Sequence, residues 1–331
     1  MSAPPRRKQV VNLTGLLVLL ALPPLAFAVG EPFLISVATR IVIAALAALS
    51  LDLILGYGGM VSFGHAAFLG IGAYVVGILA HHDVENTLIP FVPGAWHGTT
   101  AALVQWPLAV LASALFALVT GALCLRTSGV YFIMVTLAFA QMLYHFFVSL
   151  PAYGGHDGIN LWQRSAVPGV DLSEDWVFYY VCLFILLAAL AVLSRIVNSR
   201  FGMVVQGCKQ NEARLAALGI ATGRYKLAAY TLAGAIAGLA GALTANQTEF
   251  VGPSLMHWSR SGEILVMLIL GGIGTLYGAV AGAATFLALE EILTSLTEHW
   301  MLFLGPILVF VVLFARRGIY GWLVGPESRD D

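Results

Sequence analysis

The sequence predicts an all-α polytopic membrane protein of about eight full spans plus one broken helical pair, and three observations lead to that class. Of the 331 residues, 60% are hydrophobic and only 10% are charged, against roughly 25% charged in an ordinary soluble domain. Apolar runs of span length recur along the whole chain, and each crossing needs about 20 such residues, which allows about ten crossings with short loops. Lys and Arg gather in alternate connecting segments, a bias that orients a chain in a bilayer. The chain therefore reads as one transmembrane domain, residues 1–331.

The first span is expected near 10–29, behind Arg6, Arg7 and Lys8. Its end, Ala26-Phe27-Ala28, has the small-x-small form of a secretory cleavage site. A retained span is preferred, because the following sequence is itself membrane-spanning; Pro23 and Pro24 should only kink it. Further spans are expected near 33–55, 63–80, 106–125, 129–150, 176–197, 227–246 and 300–315. The stretch 262–291 is too long for one crossing, and Gly271-Gly272-Ile273-Gly274-Thr275 interrupts it. It reads as two shorter helices meeting at a turn inside the membrane.

With the N-terminus in the cytoplasm, all but three of the 16 Lys and Arg residues fall on the inner side; Arg40, Arg164 and Arg260 lie outside. Short-loop positive charge marks the cytoplasmic face, so both termini are expected in the cytoplasm and the protein in a bacterial inner membrane. A single crossing at 262–291 would instead strand Arg316 and Arg317 outside. The outer loops, 81–105 and 151–175, carry Trp96, Trp106, Trp162 and Trp176, whose rings suit the headgroup level. His81, His82, Asp83 and Glu85 are adjacent rather than convergent and read as a solvated loop, not a metal site. Cys124, Cys182 and Cys208 lack disulfide or metal spacing. Two Asn-x-Thr patterns, at Asn12 and Asn246, fall in or at spans and are read as accidents.

No GxxxxGK[ST] loop, GxSxG elbow or HExxH helix is present, so this chain is expected to bind no cofactor, to hydrolyse nothing by itself and to contain no catalytic residues. Nothing points to a nucleic-acid partner.

The longest basic loop, 198–226, holds a short helix with both ends marked. Asn211 can cap its first amides, Glu212 sits at the positive end of its dipole, and Gly219 supplies a left-handed stop. About two turns are too short to stand alone in water. Either the helix rests on its own protein or the membrane surface, or a partner receives it. In the second case Ala213, Ala216 and Ala217 form a small-residue stripe, with Glu212 and Arg214 at the rim.

Gly58-Gly59-Met60-Val61-Ser62 and Gly271-Gly272-Ile273-Gly274-Thr275 share the form Gly-Gly-x-x-[Ser/Thr], one in each half of the chain, a weak internal repeat. Paired interruptions point to a translocation path near the midplane, with Gly58, Gly59, Ser62, His65, Gly271, Gly272, Gly274 and Thr275 as its candidate residues. Close packing through small residues is the competing reading, and a hydrogen-bonded packing role competes for His65. Asp52, within the second span, must be paired, hydrated or protonated; its place near the inner end suggests hydration.

Several ordered blocks resemble the LivM-type permease subunit of branched-chain amino-acid ABC transporters, from about Leu51 to Leu323. They are Gly56-Tyr57-Gly58-Gly59-Met60-Val61-Ser62-Phe63-Gly64-His65-Ala66-Ala67-Phe68, Gly70-Ile71-Gly72-Ala73-Tyr74, the run 130–141, Gly154-Gly155-His156-Asp157-Gly158-Ile159, the loop 211–226, and Gly271 to Gly278. The resemblance implies an ABC importer permease fold passing leucine, isoleucine or valine inward. It also implies four partners besides the bilayer: a second homologous permease, two cytoplasmic ATPase subunits that use ATP and Mg, and a periplasmic substrate-binding protein. The helix at 211–219 would then couple the ATPase to the permease. Asp52 stands where the family leads one to expect an uncharged polar residue such as Asn, and Ala279 where Pro is usual. Related permeases for urea, short amides and aromatic acids share much of the pattern. A proton-coupled carrier using Asp52 and His65 is the reading from another class, and it lacks a second buried acid and a basic partner in a facing span.

Overall fold

The computed structural model describes residues 6–88, 97–297, 299, 302, 303, 305, 306 and 318–324. Most of the expected span at 300–315 lies outside the described residues, as do Trp96, Arg316, Arg317 and Arg329. Eight helices among the described residues are long and apolar enough to cross a membrane. The chain is a multi-pass membrane protein.

The helices are α1 (Arg6–Val29), α2 (Phe33–Asp52), α3 (His65–Val84), α4 (Ala102–Cys124), α5 (Val130–Val148), α6 (Asp175–Val197), α7 (Arg200–Ala217), α8 (Thr222–Thr248), α9 (Trp258–Gly271), α10 (Leu276–Leu296) and α11 (Gly318–Val324). A π-helical turn, Leu53–Tyr57, extends α2. The stretch 262–291 is divided as its glycines suggested, into α9 and α10. The basic loop at 198–226 is corrected: most of it is helix, because α7 fills it and α8 already begins at Thr222.

Helix α1 runs unbroken through Pro23 and Pro24. A proline removes the N–H that would bond the carbonyl four residues back, which orphans the carbonyls of Leu19 and Leu20. Two adjacent tyrosines of α6 supply the missing donors: the Tyr179 hydroxyl donates to Leu19 O at 2.6 Å and the Tyr180 hydroxyl to Leu20 O at 3.2 Å.

Helices α3, α4 and α8 form the tightly packed centre through small residues. A side chain at Gly72 would collide with the Gly238 carbonyl, and one at Gly241 with the Leu69 carbonyl. Lipid gives apolar surfaces no drive to associate, so such close backbone approach supplies the dispersion contacts that hold spans together.

The two ends of the bundle differ. At one end α7, the start of α8 and the last residues of α2 meet, and α11 joins the start of α1 through Tyr320 Oη donating to Asn12 Oδ1 at 2.9 Å. At the other end, strands Ile159–Asn160 and Phe250–Val251 pair antiparallel and tie the 151–175 loop to the segment after α8. The buried amide Asn246 accepts from the Ser165 N–H at 2.6 Å, so that asparagine is a loop anchor with no exposed side chain for a glycan. At the same end His82 meets Thr87 Oγ1 at 2.7 Å and Tyr153 Oη at 3.2 Å, and no three metal-binding side chains converge among the described residues.

Candidate functional site

The candidate residues fall into two groups, and both lie at the α7 end of the bundle. The first is the junction of the glycine segments. Helix α2 with its π turn is 25 residues long, about 37 Å at 1.5 Å per residue, and Gly58 and Gly59 follow its last residue. The paired segments therefore lie toward the α7 end of α2, where the turn between α9 and α10 also falls. They also touch: Gly274 N–H donates to Asp52 Oδ1 at 2.7 Å, and a side chain at Gly56 would meet both Asp52 and the Gly274 backbone.

Lys209 of α7 closes this junction from below. Its ammonium donates to the Gly56 carbonyl at 2.7 Å, and its aliphatic stem lies under Gly59, whose φ of 69° is one that L side chains rarely adopt. Asp52 is fully buried; its Oδ1 takes a backbone hydrogen bond beside a Lys ammonium, and its Oδ2 has no partner among the described residues. A buried carboxylate oxygen left orphaned costs about 1–3 kcal/mol or more. The basic group came from α7, an element outside the apolar runs, which is why a search of facing spans missed it.

The two hydroxyls at matching places close their own turns. Ser62 Oγ accepts from Gly64 N–H at 3.2 Å, and Thr275 Oγ1 donates to Gly272 O at 2.6 Å. His65 opens α3 and is fully buried, with Nε2 2.6 Å from Ser50 Oγ. Ser50 Oγ also lies 2.6 Å from Ala47 O, so the serine links His65 to the α2 backbone. The first free amides of α3 and its loop are satisfied from elsewhere, Ala66 N–H by Ser261 Oγ at 2.9 Å and Phe63 N–H by Thr136 Oγ1 at 3.3 Å. Gly271 and Gly272 are buried against Gly278 and Gly318. The contacts that join the two halves run from Asp52 and Gly56 to Gly274, while Gly58 packs on Ile54 and Gly59 lies over the Lys209 stem.

The second group is the tip of α7. The helix breaks at Asn211, whose φ of −160° and ψ of 96° are extended. Its Oδ1 accepts the Arg214 N–H at 2.9 Å, the N-cap its position suggested. At the other end Gly219 takes a φ of 79°, Ile220 N–H reaches Leu215 O at 3.1 Å and Gly219 N–H reaches Ala216 O at 2.9 Å, the paired bonds of a Schellman stop. Leu215 folds back against Gly207, while Ala213, Arg214, Ala216, Ala217 and Leu218 are exposed, Leu218 at 71%. Glu212 is corrected: it does not stand at an outward rim but accepts from Thr222 Oγ1 at 3.0 Å and pairs with Lys226. The pairing moors the tip to α8, and the Lys226 ammonium holds the Glu212 carboxyl below the usual carboxylate range.

A family model described as branched-chain amino acid transport system / permease component matches residues 33–312. The chain belongs to this permease family. The permease is 27% identical over 324 residues to the high-affinity branched-chain amino acid transport system permease protein LivM of Salmonella typhimurium, covering 89% of this chain and 73% of that one. It is 26% identical over 341 residues to the protein of the same name in Escherichia coli, covering 94% and 75%. A probable LivM of Methanocaldococcus jannaschii is 24% identical over 268 residues, covering 74% and 76%. No solved structure is a significant match to the permease.

Proposed function

We propose that this permease is one membrane-spanning half of an ATP-driven importer for leucine, isoleucine and valine, working with a second permease, two ATPase subunits and a binding protein on the opposite face. The relatives are named for high-affinity branched-chain amino acid transport, which supports the substrate class. The observation that carries the mechanism is the α7 tip. It is a capped helix too short to be stable alone, moored by Glu212 to Lys226, and it leaves Ala213, Ala216, Ala217 and Leu218 uncovered at the basic end of the bundle. The positive-inside bias supports a cytoplasmic face there, where an ATPase groove can receive the tip.

Motion delivered to the tip has a short route inward. The break at Asn211 leads back along α7 to Lys209, and Lys209 grips the Gly56 carbonyl beside the Asp52 to Gly274 bond. A rigid-body shift of α7 would therefore act on the junction where α2 and the turn between α9 and α10 meet. Asp52 contributes to this junction through its Oδ1.

The test is uptake of radiolabelled leucine into proteoliposomes holding the full assembly with ATP inside. Uptake that needs ATP and stops with vanadate is expected. Uptake driven by an imposed pH gradient without ATP would overturn the proposal.

A further inference from the structure

The end of the bundle opposite α7 holds a cavity of about 440 Å³ between α2, α8, α9 and α10, within the roughly 300–1,000 Å³ typical of small-molecule clefts. Its wall is divided by chemistry. Ile43, Ala47, Leu69, Met267 and Leu287 make an aliphatic floor, while Arg40, Arg260, Glu263 and Glu291 stand at the mouth. Charged side chains within spans are expensive in hydrocarbon and mark water-filled cavities or substrate pathways. Arg40 is seven residues into α2 and Glu291 five residues from the end of α10, so the charges sit below the rim rather than in the loops.

The charges are incompletely matched. Arg40 donates through one Nη to Glu290 at 2.7 Å, and Arg260 through one Nη to Glu263 at 2.7 Å. Among the described residues the remaining N–H groups of both guanidiniums have no acceptor, and Glu291 has no cationic partner. A guanidinium with free N–H groups suits a carboxylate, which it can grip bidentately. A free carboxylate across the same mouth suits an ammonium. The aliphatic floor suits a branched hydrocarbon.

We infer that this cavity is a binding subsite of the permease for an aliphatic α-amino acid zwitterion. The ligand's carboxylate meets the free N–H groups of Arg260 and Arg40, its ammonium meets Glu291, and its side chain lies on the floor made by Ile43, Ala47 and Met267. This rests on the transport reading above and adds that the membrane subunit itself recognises the substrate. Below the floor the way is closed: Ala47 O accepts from Ser50, Ser50 meets His65, and the Asp52 to Gly274 bond follows. The charged mouth thus lies toward the end opposite α7, with these packed contacts between the floor and the α7 end.

The experiment uses the full assembly with Thr244→Cys, a cavity-lining position, as a reporter; the three native cysteines are buried. Labelling by a small charged thiol reagent is timed with leucine, with 4-methylpentanoate, which lacks the ammonium, and with isopentylamine, which lacks the carboxylate. Leucine is expected to slow labelling and the two half-molecules are not. Adding Glu291→Gln or Arg260→Gln should raise the leucine concentration giving half protection by roughly tenfold or more, as for loss of a hydrogen bond to a charged group. No labelling at all, equal protection by all three compounds, or rates unchanged by millimolar leucine would overturn the inference. ATP-dependent leucine uptake by the wild-type assembly is measured in parallel. Uptake without protection removes the subsite alone, whereas protection without uptake removes the transport reading and leaves the subsite standing.

Discussion

Asp52 and Gly274, 222 residues apart in the chain, are joined by a 2.7 Å hydrogen bond from the glycine N–H to the carboxylate. That bond ties the end of α2 to the second glycine segment and gives Asp52 a role an asparagine could also fill, since both side chains present an acceptor oxygen. Asp52→Asn should fold and transport, whereas Asp52→Leu leaves the buried Gly274 N–H without an acceptor. The second change is expected to cost about 1–3 kcal/mol, read as a lower unfolding temperature of the purified complex. Equal stability of the two variants would remove this role for the carboxylate.

The glycines of the junction are close-approach sites, so bulk there should harm assembly before it blocks passage. Gly271→Ala puts a methyl into the Gly278 carbonyl, and overpacking of this kind costs typically 1–3 kcal/mol, occasionally more. Monodisperse protein yield and co-purification of the partner subunits should fall together with uptake. Variants that assemble normally yet do not transport would instead put the glycines on the substrate path.

Ala216 is exposed on the α7 tip. Ala216→Trp should therefore leave the permease folded while weakening ATPase attachment by about 1–2 kcal/mol, roughly tenfold in affinity. Pull-down of the ATPase with tagged permease reads this directly, and normal coupling by the variant would assign the tip another task.

Glu212 is exposed, with its carboxyl held low by Lys226 and Thr222. A depressed folded value means its stabilising contribution is fully present above the unfolded value of 4.5 and is lost as pH falls from there through the folded value. Protection factors of the 211–219 amides, normalised to intrinsic exchange, should fall over that acid range in the wild type. In Glu212→Gln they should be low throughout and flat with pH.

The Tyr179 to Leu19 bond answers a specific defect. Tyr179→Phe should destabilise by about 1–2 kcal/mol, because a buried carbonyl loses its donor. In a Pro23→Ala background the N–H at 23 returns, Leu19 O regains its helical partner, and the same tyrosine change should cost less. Additive effects of the two changes would show that the bond compensates nothing.

The sequence by itself determined the membrane class, the division of 262–291 at its glycines, and the caps at Asn211 and Gly219. Each of these is written locally: span length in apolar runs, the missing side chain of a glycine, the short reach of an asparagine to an amide three residues on. Arg40, Glu290 and Glu291 were equally visible as charges at or inside apolar runs, a signal that could have pointed to the cavity. Only tertiary structure decided that Asp52 meets Gly274, that Lys209 closes the junction, and that Glu212 turns back to Lys226. It alone brought Tyr179 to the carbonyl orphaned by Pro23, and α2, α8, α9 and α10 around one charged mouth. The physical reason is that hydropathy fixes which segments are helical and buried, while the partner of a buried polar group depends on how helices are turned about their axes. Small-residue contacts such as Gly72 on Gly238 and Gly241 on Leu69 set that rotation, and a single chain's hydropathy carries no record of it.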